Sequence, residues 1–344
     1  MDKCPSITRK RKGDKMEAFQ HIRGNEDVKA YFTKVIKKNK LSHSYIFEGP
    51  YGVGKNTFAL ALAKYILCEA KEGNKPCNSC KSCYMTHAGT HPDLISIEKD
   101  TKVTKIETIR NNMVKEMDIK PYQSDYKVVI VKAADTITIE GQNAMLKTIE
   151  EPPSYGIIIL VCENASRMLP TIKSRCIMVR FNPLTKKQLD TYLIDEPISE
   201  SKREVLKKLS EGSIGKVKDI LKDESFFELR DQAVNYLQRL DKADLIGVYD
   251  LVKEITEQKE EIEKILEHWL LWYRDIAIIK AVGIGDLYYS DYQQQLLDIA
   301  YKLTYNKVSQ NIDCIIKALA DMRQNIYSTF VIENLLLRLK ERKK

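Results

Sequence analysis

The 344-residue sequence lacks a hydrophobic run long enough to cross a membrane. Its longest uninterrupted apolar stretch is the six residues from Ile157 to Cys162, whereas a membrane-spanning helix needs about 20. The basic N-terminus is not followed by the apolar segment of a signal peptide. We therefore expect a cytoplasmic protein with no membrane partner. In that compartment, its eight cysteines are expected to be metal ligands or free thiols rather than disulfides.

A large excess of charge of one sign is also missing from most of the chain. The formal net charge is +8, and residues 1–15 contribute +4 of it through six basic and two acidic side chains. The other +4 is spread over the rest of the chain, which is not the profile of a stand-alone nucleic-acid-binding protein. Residues 1–15 also lack apolar periodicity, so we expect them to form a disordered basic extension.

Short apolar segments alternate with helical patterns between residues 16 and 182. This alternation is typical of an α/β domain in which helices cover both faces of a parallel sheet. The predicted strands are Tyr45–Phe47, Leu94–Ile97, Lys127–Val131, Ile157–Val161 and Ile177–Phe181.

The sequence after Asn182-Pro183 is helical in pattern. Residues 183–228 are predicted to form a small domain of short helices. Residues 229–344 have almost no glycine and show long amphipathic helices. The apolar content of the last of these requires a partner surface.

A glycine-rich loop follows the first predicted strand. It contains Gly49, Gly52, Gly54 and Lys55, and a helical run follows directly. In this context the backbone N–H groups of the loop converge on phosphate oxygens and the lysine adds a positive charge, which predicts a P-loop. Asn56 occupies the position of the Mg²⁺-binding Ser or Thr, so the sequence leaves ATP binding by this loop open.

The carboxylates that phosphoryl transfer requires are missing after the strand at 127–131. The strand runs into Lys132 and Ala133, which can neither hold Mg²⁺ nor orient an attacking water. Asp135 lies further on, and we predict that it belongs to the N-terminal cap region of the next helix. The chain is therefore interpreted as an ATPase scaffold without hydrolytic chemistry.

Four cysteines predict a structural metal site at residues 68–83. Cys77, Cys80 and Cys83 are separated by two residues each, and Cys68 precedes them across a short insert. Four thiolates suit tetrahedral Zn²⁺ and leave no open coordination position.

Alternatives to this zinc site remain open. An iron–sulfur cluster is one, although its usual fourth cysteine follows the run by three residues and precedes a proline. His87 replacing Cys68 as a ligand is another, whereas His91 is expected to stabilise the fold. A zinc-dependent nucleic-acid-binding module is disfavoured because few basic or aromatic residues lie among the cysteines.

Several motifs together resemble the bacterial DNA polymerase III clamp-loader family of AAA+ proteins. They are the run Leu41–Pro50, the cysteine module, the run Asn143–Pro153 (NAMLKTIEEPP) and the run Leu169–Cys176, which ends in Ser-Arg-Cys. The likeness covers residues 16–225 in motif detail. It implies a P-loop AAA+ core at 16–182, a helical lid at 183–228 and a helical collar at 229–344.

The ATP-hydrolysing gamma/tau members of that family have a full P-loop, an Asp-Glu pair after the second strand and a sensor arginine in the lid. This chain has Asn56, then Lys132 and Ala133, then Gly215 at those positions. The resemblance therefore implies a subunit of the DNA polymerase III holoenzyme that does not hydrolyse ATP. The alternative is an active ATPase of the gamma/tau type.

The resemblance also gives Arg175 a role. It implies an arginine finger that acts in trans on ATP held by a neighbouring subunit. The implied partners are the gamma/tau and delta subunits, with the sliding clamp and primed DNA reached through the complex. The implied cofactor is structural zinc on Cys68, Cys77, Cys80 and Cys83.

Overall fold

The computed structural model describes residues 17–71, 75–98, 104, 106–283, 285–324 and 326–340, and of Glu17 and Ser201 only the backbone. The predicted extension at 1–15 lies outside these residues. The described helices are all too short or too polar to cross a membrane. The chain divides into two compact units. One runs to Tyr192 and includes Glu211–Gly215, and the other contains Leu193–Ser210 and the chain from Lys216 onward.

The first unit is built on a five-stranded parallel sheet. Its strands are β1 (Ser44–Glu48), β2 (Leu94–Ile97), β3 (Lys127–Val131), β4 (Gly156–Cys162) and β5 (Ile177–Arg180). They lie in the order β2-β3-β4-β1-β5, with β1 paired to both β4 and β5. All residues of β3 and β4 are buried, as expected for central strands covered on both faces. The predicted parallel α/β core is confirmed.

Helices pack on both faces of this sheet. They are α1 (Glu26–Lys37), α2 (Lys55–Leu67), α3 (Lys81–Ala88), α4 (Ile106–Ile109), a π-helical segment (Arg110–Val114), α5 (Lys115–Met117), α6 (Ile139–Glu150), α7 (Pro170–Lys173) and α8 (Lys186–Ile194), of which α8 ends in the second unit. Short 3-10 turns lie at Glu17–Phe19, Ala134–Thr136 and Ala165–Arg167.

The two faces follow from the alternation of side chains along each strand. Tyr45 and Phe47 of β1 lie in an apolar cluster with residues of α1 and α2. Ile46, between them, lies in a second cluster with residues of α4 and α6. The sheet therefore holds α2 on one face and α6 on the other.

The second unit is helical throughout its described residues. It contains α9 (Glu200–Leu209), α10 (Ile214–Lys222), which begins in the first unit, α11 (Phe226–Lys242), α12 (Leu245–Glu257), α13 (Ile262–Val282), a 3-10 turn (Ser290–Tyr292), α14 (Gln293–Lys302), α15 (Tyr305–Arg323) and α16 (Ser328–Lys340). Its core is built around Trp269 and Trp272 of α13. The predicted boundaries at 182/183 and 228/229 stay predictions.

Candidate functional site

The glycine-rich loop connects β1 to α2, in the strand–loop–helix order that the sequence predicts. Gly52 and Gly54 have φ angles of 73° and 95°, a region that disfavours side chains. Gly54 is the N-cap of α2, and Lys55 begins the helix. The loop therefore places the unpaired N–H groups of a helix N-terminus beside a lysine.

Lys55 is buried, and its ammonium group is held by the loop itself. Its Nζ donates to the carbonyl oxygens of Gly49 and Pro50, both at 2.6 Å. Burial lowers the pKa of Lys55, and the nearby charge of Glu163 opposes that shift. An ammonium group has three protons, so these two contacts leave one for a phosphate oxygen. Asn56 is exposed in the first turn of α2.

The end of β3 has no catalytic carboxylate. Lys132 forms an ion pair with Glu98 of the neighbouring strand's end, and Ala133 has a positive φ of 48°. The prediction that Asp135 belongs to a helix cap is wrong. The N-cap of α6 is Thr138, whose hydroxyl accepts the N–H of Gly141, while Asp135 accepts the N–H of Asn164 at 3.3 Å.

The segment Glu211–Gly215 lies directly against the glycine-rich loop. The Ser213 hydroxyl donates to the carbonyl of Tyr51 at 2.8 Å, and the N–H of Gly215 donates to the carbonyl of Gly52 at 2.9 Å. A Cβ atom at residue 215 would lie 2.4 Å from the Cα of Gly52. Glycine at 215, where the family resemblance leads one to expect arginine, is therefore the residue that this close contact permits.

We expect Gly215→Ala to destabilise the protein by about 1–3 kcal/mol. Gly215 is in the first turn of α10 and has no positive φ. Helix propensity alone would favour alanine by about 1 kcal/mol, so the contact with Gly52 and the propensity predict opposite signs. Urea unfolding of the purified chain measures the difference.

The matched control is Gly247→Ala, at a similar position near the start of α12. There the nearest atom to an added Cβ is the Cβ of Ala243, at 3.1 Å. We expect that variant to be neutral or stabilised. Equal midpoints for the two variants would rule out a tight contact at Gly215.

The four predicted metal ligands come together in the structure. The Sγ atoms of Cys68, Cys77, Cys80 and Cys83 all lie within 4.8 Å of one another. Cys68 Sγ is 3.6 Å from that of Cys77 and 4.0 Å from that of Cys80. A zinc–sulfur distance of about 2.3 Å in a tetrahedron requires sulfur atoms about 3.8 Å apart. The cluster therefore fits a zinc ion.

Backbone N–H groups point at three of these sulfur atoms. The N–H of Cys77 donates to Cys68, that of Cys80 to Cys77 and that of Cys83 to Cys80, each at 3.4 Å. Hydrogen bonds from Ser79 lower the pKa of Cys77 to about 6, whereas burial raises the pKa of Cys83. The hydrogen bonds from the backbone N–H groups and from Ser79 favour the thiolate form of cysteine, which is the form that binds a metal.

His91 supports the cysteine module through hydrogen bonds and is not part of the sulfur cluster, as predicted. Its Nδ1 accepts the N–H of Asp93 at 3.1 Å, so its Nε2 carries the proton and donates to Ser82, 3.1 Å away. The Ser82 hydroxyl in turn donates to Glu69 at 2.7 Å. Burial lowers the pKa of His91, which keeps the imidazole neutral. These bonds tie the first turn of α3 to the residues that lead into β2. His87 is exposed.

Arg175 lies on the surface just after α7. Its Nε forms an ion pair with Glu150 at 3.0 Å. Its Nη1 donates to the carbonyl of Thr171 at 3.1 Å and to the hydroxyl of Ser174 at 3.2 Å. None of these partners belongs to the glycine-rich loop, so the two predicted sites are separate on the chain.

Comparison with known proteins finds sequence similarity to subunits of DNA polymerase III. A family model described as DNA polymerase III, delta subunit, matches residues 24–185. The chain is 29% identical over 312 residues to DNA polymerase III subunit delta' of Bacillus subtilis, covering 89% of this chain and 93% of that protein. It is 25% identical over 333 residues to subunit tau of the same organism, covering 89% of this chain and 58% of tau.

A solved structure of a gamma subunit-related protein from Thermotoga maritima is also similar. It is 19% identical, and the match covers 92% of this chain and 99% of that one with a TM-score of 0.44. The range matched by the family model, residues 24–185, includes the motifs at residues 41–50, 143–153 and 169–176. The chain is thus similar in sequence to subunits delta' and tau of DNA polymerase III, and it matches the delta-subunit family model over residues 24–185.

Proposed function

We propose that this chain is a delta-prime-like subunit of the DNA polymerase III clamp loader that does not hydrolyse ATP itself. The observation that carries the proposal is the end of β3. The residues at that position are Lys132 and Ala133, and Lys132 forms an ion pair with Glu98. A P-loop scaffold without a carboxylate at that point cannot hold Mg²⁺ and orient water in the way that hydrolysis requires. The length of the match to subunit delta' also supports the proposal.

The chain would act through its neighbours in the ring. Gamma/tau subunits bind ATP at subunit interfaces, and Arg175 of this chain completes one of these sites. The ring opens the sliding clamp together with the delta subunit, and hydrolysis triggered by primed DNA releases the closed clamp. Contacts of this chain with DNA would be to backbone phosphates. The role does not require nucleotide on Gly49–Lys55, because the chemistry takes place on the neighbouring subunit.

We further propose that the four cysteines hold one structural zinc ion. The sulfur distances of 3.6 and 4.0 Å support this ligand set. All four coordination positions are filled by protein thiolates, so the metal would fix α3 against the end of α2 and take no part in hydrolysis.

An active ATPase of the gamma/tau type is the second candidate. The retained Lys55, with one proton left for a phosphate, favours it, as does the similarity to subunit tau. The missing carboxylates at Lys132 and Ala133 argue against it.

Steady-state ATP hydrolysis distinguishes these two functions. The purified chain is assayed alone and after addition of the cognate gamma/tau and delta subunits, sliding clamp and primed DNA. We expect no turnover by the chain alone and a lower rate for the assembled loader when the chain is left out. Turnover by the chain alone, free of contaminating ATPase, would establish the active-ATPase alternative.

A further inference from the structure

The guanidinium group of Arg175 is held on one side by its own protein. Two of its three nitrogens are engaged: Nε by the carboxylate of Glu150 at 3.0 Å, and Nη1 by the Thr171 carbonyl and the Ser174 hydroxyl. The Ser174 hydroxyl donates to the same Thr171 carbonyl at 2.9 Å. Among the hydrogen bonds of the described residues, none is donated by Nη2 of Arg175.

The elements that carry these partners are fixed to each other by a buried glutamine. Gln142 of α6 donates to the carbonyl of Arg167 at 3.3 Å, and its side-chain oxygen accepts the N–H of Leu169 at 2.8 Å. These two residues lead directly into α7, which precedes Arg175. Glu150 is the last residue of α6, so its carboxylate stands at a defined place relative to Arg175.

We propose that Glu150 is a positioning residue, which holds Arg175 with its Nη2 directed outward toward the nucleotide of a neighbouring subunit. This inference rests on the proposed function of Arg175. An exposed ion pair contributes little to stability, and both side chains are about 40% exposed, so the contact does not explain folding. The ion pair restricts the many rotamers of the Arg175 side chain before the subunits meet. Hydrolysis is then faster, because the entropy cost of fixing the side chain is not part of the activation barrier.

The same ion pair could instead sequester the arginine and lower the rate. The geometry favours the orienting role, because the hydrogen bonds that Arg175 makes within the described residues come from Nη1 and leave the protons of Nη2 for a partner. The two roles predict opposite effects when Glu150 is removed.

The test compares Glu150→Ala with Glu151→Ala in the fully assembled loader. Both variants remove one negative charge at the end of α6, but within the described residues the Glu151 side chain makes no hydrogen bond or ion pair, and it is exposed. We expect Glu150→Ala to lower the kcat of clamp- and DNA-stimulated ATP hydrolysis about tenfold with the KM for ATP unchanged. Glu151→Ala is expected to match the unaltered protein.

Two further variants show whether Glu150 acts through Arg175. Glu150→Gln keeps an oxygen that can accept from Nε and should restore part of the rate. In a chain that already carries Arg175→Ala, adding Glu150→Ala should change nothing more. Thermal unfolding and gel filtration of each variant check that folding and assembly are unchanged.

Each outcome separates the positioning role from the proposed function. If Arg175→Ala lowers the rate but Glu150→Ala equals Glu151→Ala, the positioning role is wrong and the proposed function stands. A higher rate for Glu150→Ala would show sequestration and overturn the inference. If Arg175→Ala itself has no effect, the finger assignment and the inference both fall.

Discussion

Replacing Cys77 by serine is expected to remove the bound metal and to destabilise the chain by several kcal/mol, since structural zinc sites supply about 10 kcal/mol or more of folding free energy in small domains. This is comparable to the whole stability of a typical protein, about 5–15 kcal/mol. Without the metal, the four cysteine side chains have no ion to hold them together, although all of their sulfur atoms lie within 4.8 Å of one another. Cys77 is only partly buried, so serine fits sterically and the change tests ligation itself.

Metal analysis and unfolding measure this result together. The unaltered chain should carry about one equivalent of zinc, and Cys77→Ser should carry much less and unfold at a lower temperature. Cys314→Ser is the matched control, because Cys314 is also partly buried but lies in α15, outside the cluster. Iron in the unaltered protein, or no metal at all, would contradict the zinc assignment.

Loss of the metal is also expected to destabilise residues outside the cysteine cluster. Ser82, next to Cys83, is the link between Glu69 and His91, and Asp93 beyond it accepts three backbone N–H groups from residues 122–124. The loop that enters β3 is therefore tied to the module. The rate of backbone amide hydrogen exchange in that loop is expected to increase when the metal is removed.

The parts of the site that the sequence could predict are local ones. The cysteines at spacing two form their cluster within one helical turn and a short loop, and the glycine-rich loop is read from the strand before it and the helix after it. The central strands β3 and β4 are apolar runs because they are buried on both faces. In each case the residues next to one another in the sequence are enough to predict the local structure.

Long-range contacts could not be predicted. Ser213 and Tyr51 are 162 residues apart in sequence, and no local pattern indicates that Ser213 donates to the glycine-rich loop. The sequence presents Gly215 only as a missing arginine, whereas its packing on Gly52 depends on backbone placement. The error at Asp135 has the same origin. Asp and Thr are both good helix caps, and the path of the chain after β3 decides that Thr138 is used.

Arg175→Ala is expected to leave folding unchanged and to reduce sharply the clamp- and DNA-stimulated ATPase of the assembled loader. The side chain is 41% exposed, so its loss creates no cavity and leaves no buried group unpaired. An arginine supplied to a neighbouring γ-phosphate accelerates hydrolysis at that site by about 10³–10⁵-fold. The decrease in the total ATPase rate depends on how much ATP the other sites of the loader hydrolyse when this site is inactive. Arg175→Lys should recover little, because an ammonium cannot reproduce the planar fork.

Arg180→Ala is the control for this prediction. Arg180 is five residues further on, is more exposed than Arg175 and also forms an ion pair, with Glu48. It therefore matches the lost charge and the lost ion pair without the proposed contact to nucleotide. Steady-state rates with saturating clamp and primed DNA, measured on loaders of equal subunit content, compare the two. Similar rates for both variants would mean that a general loss of positive charge, and no finger, explains the result. A loss confined to Arg175→Ala would support the proposal that this chain contributes Arg175 to the ATP site of a neighbouring subunit.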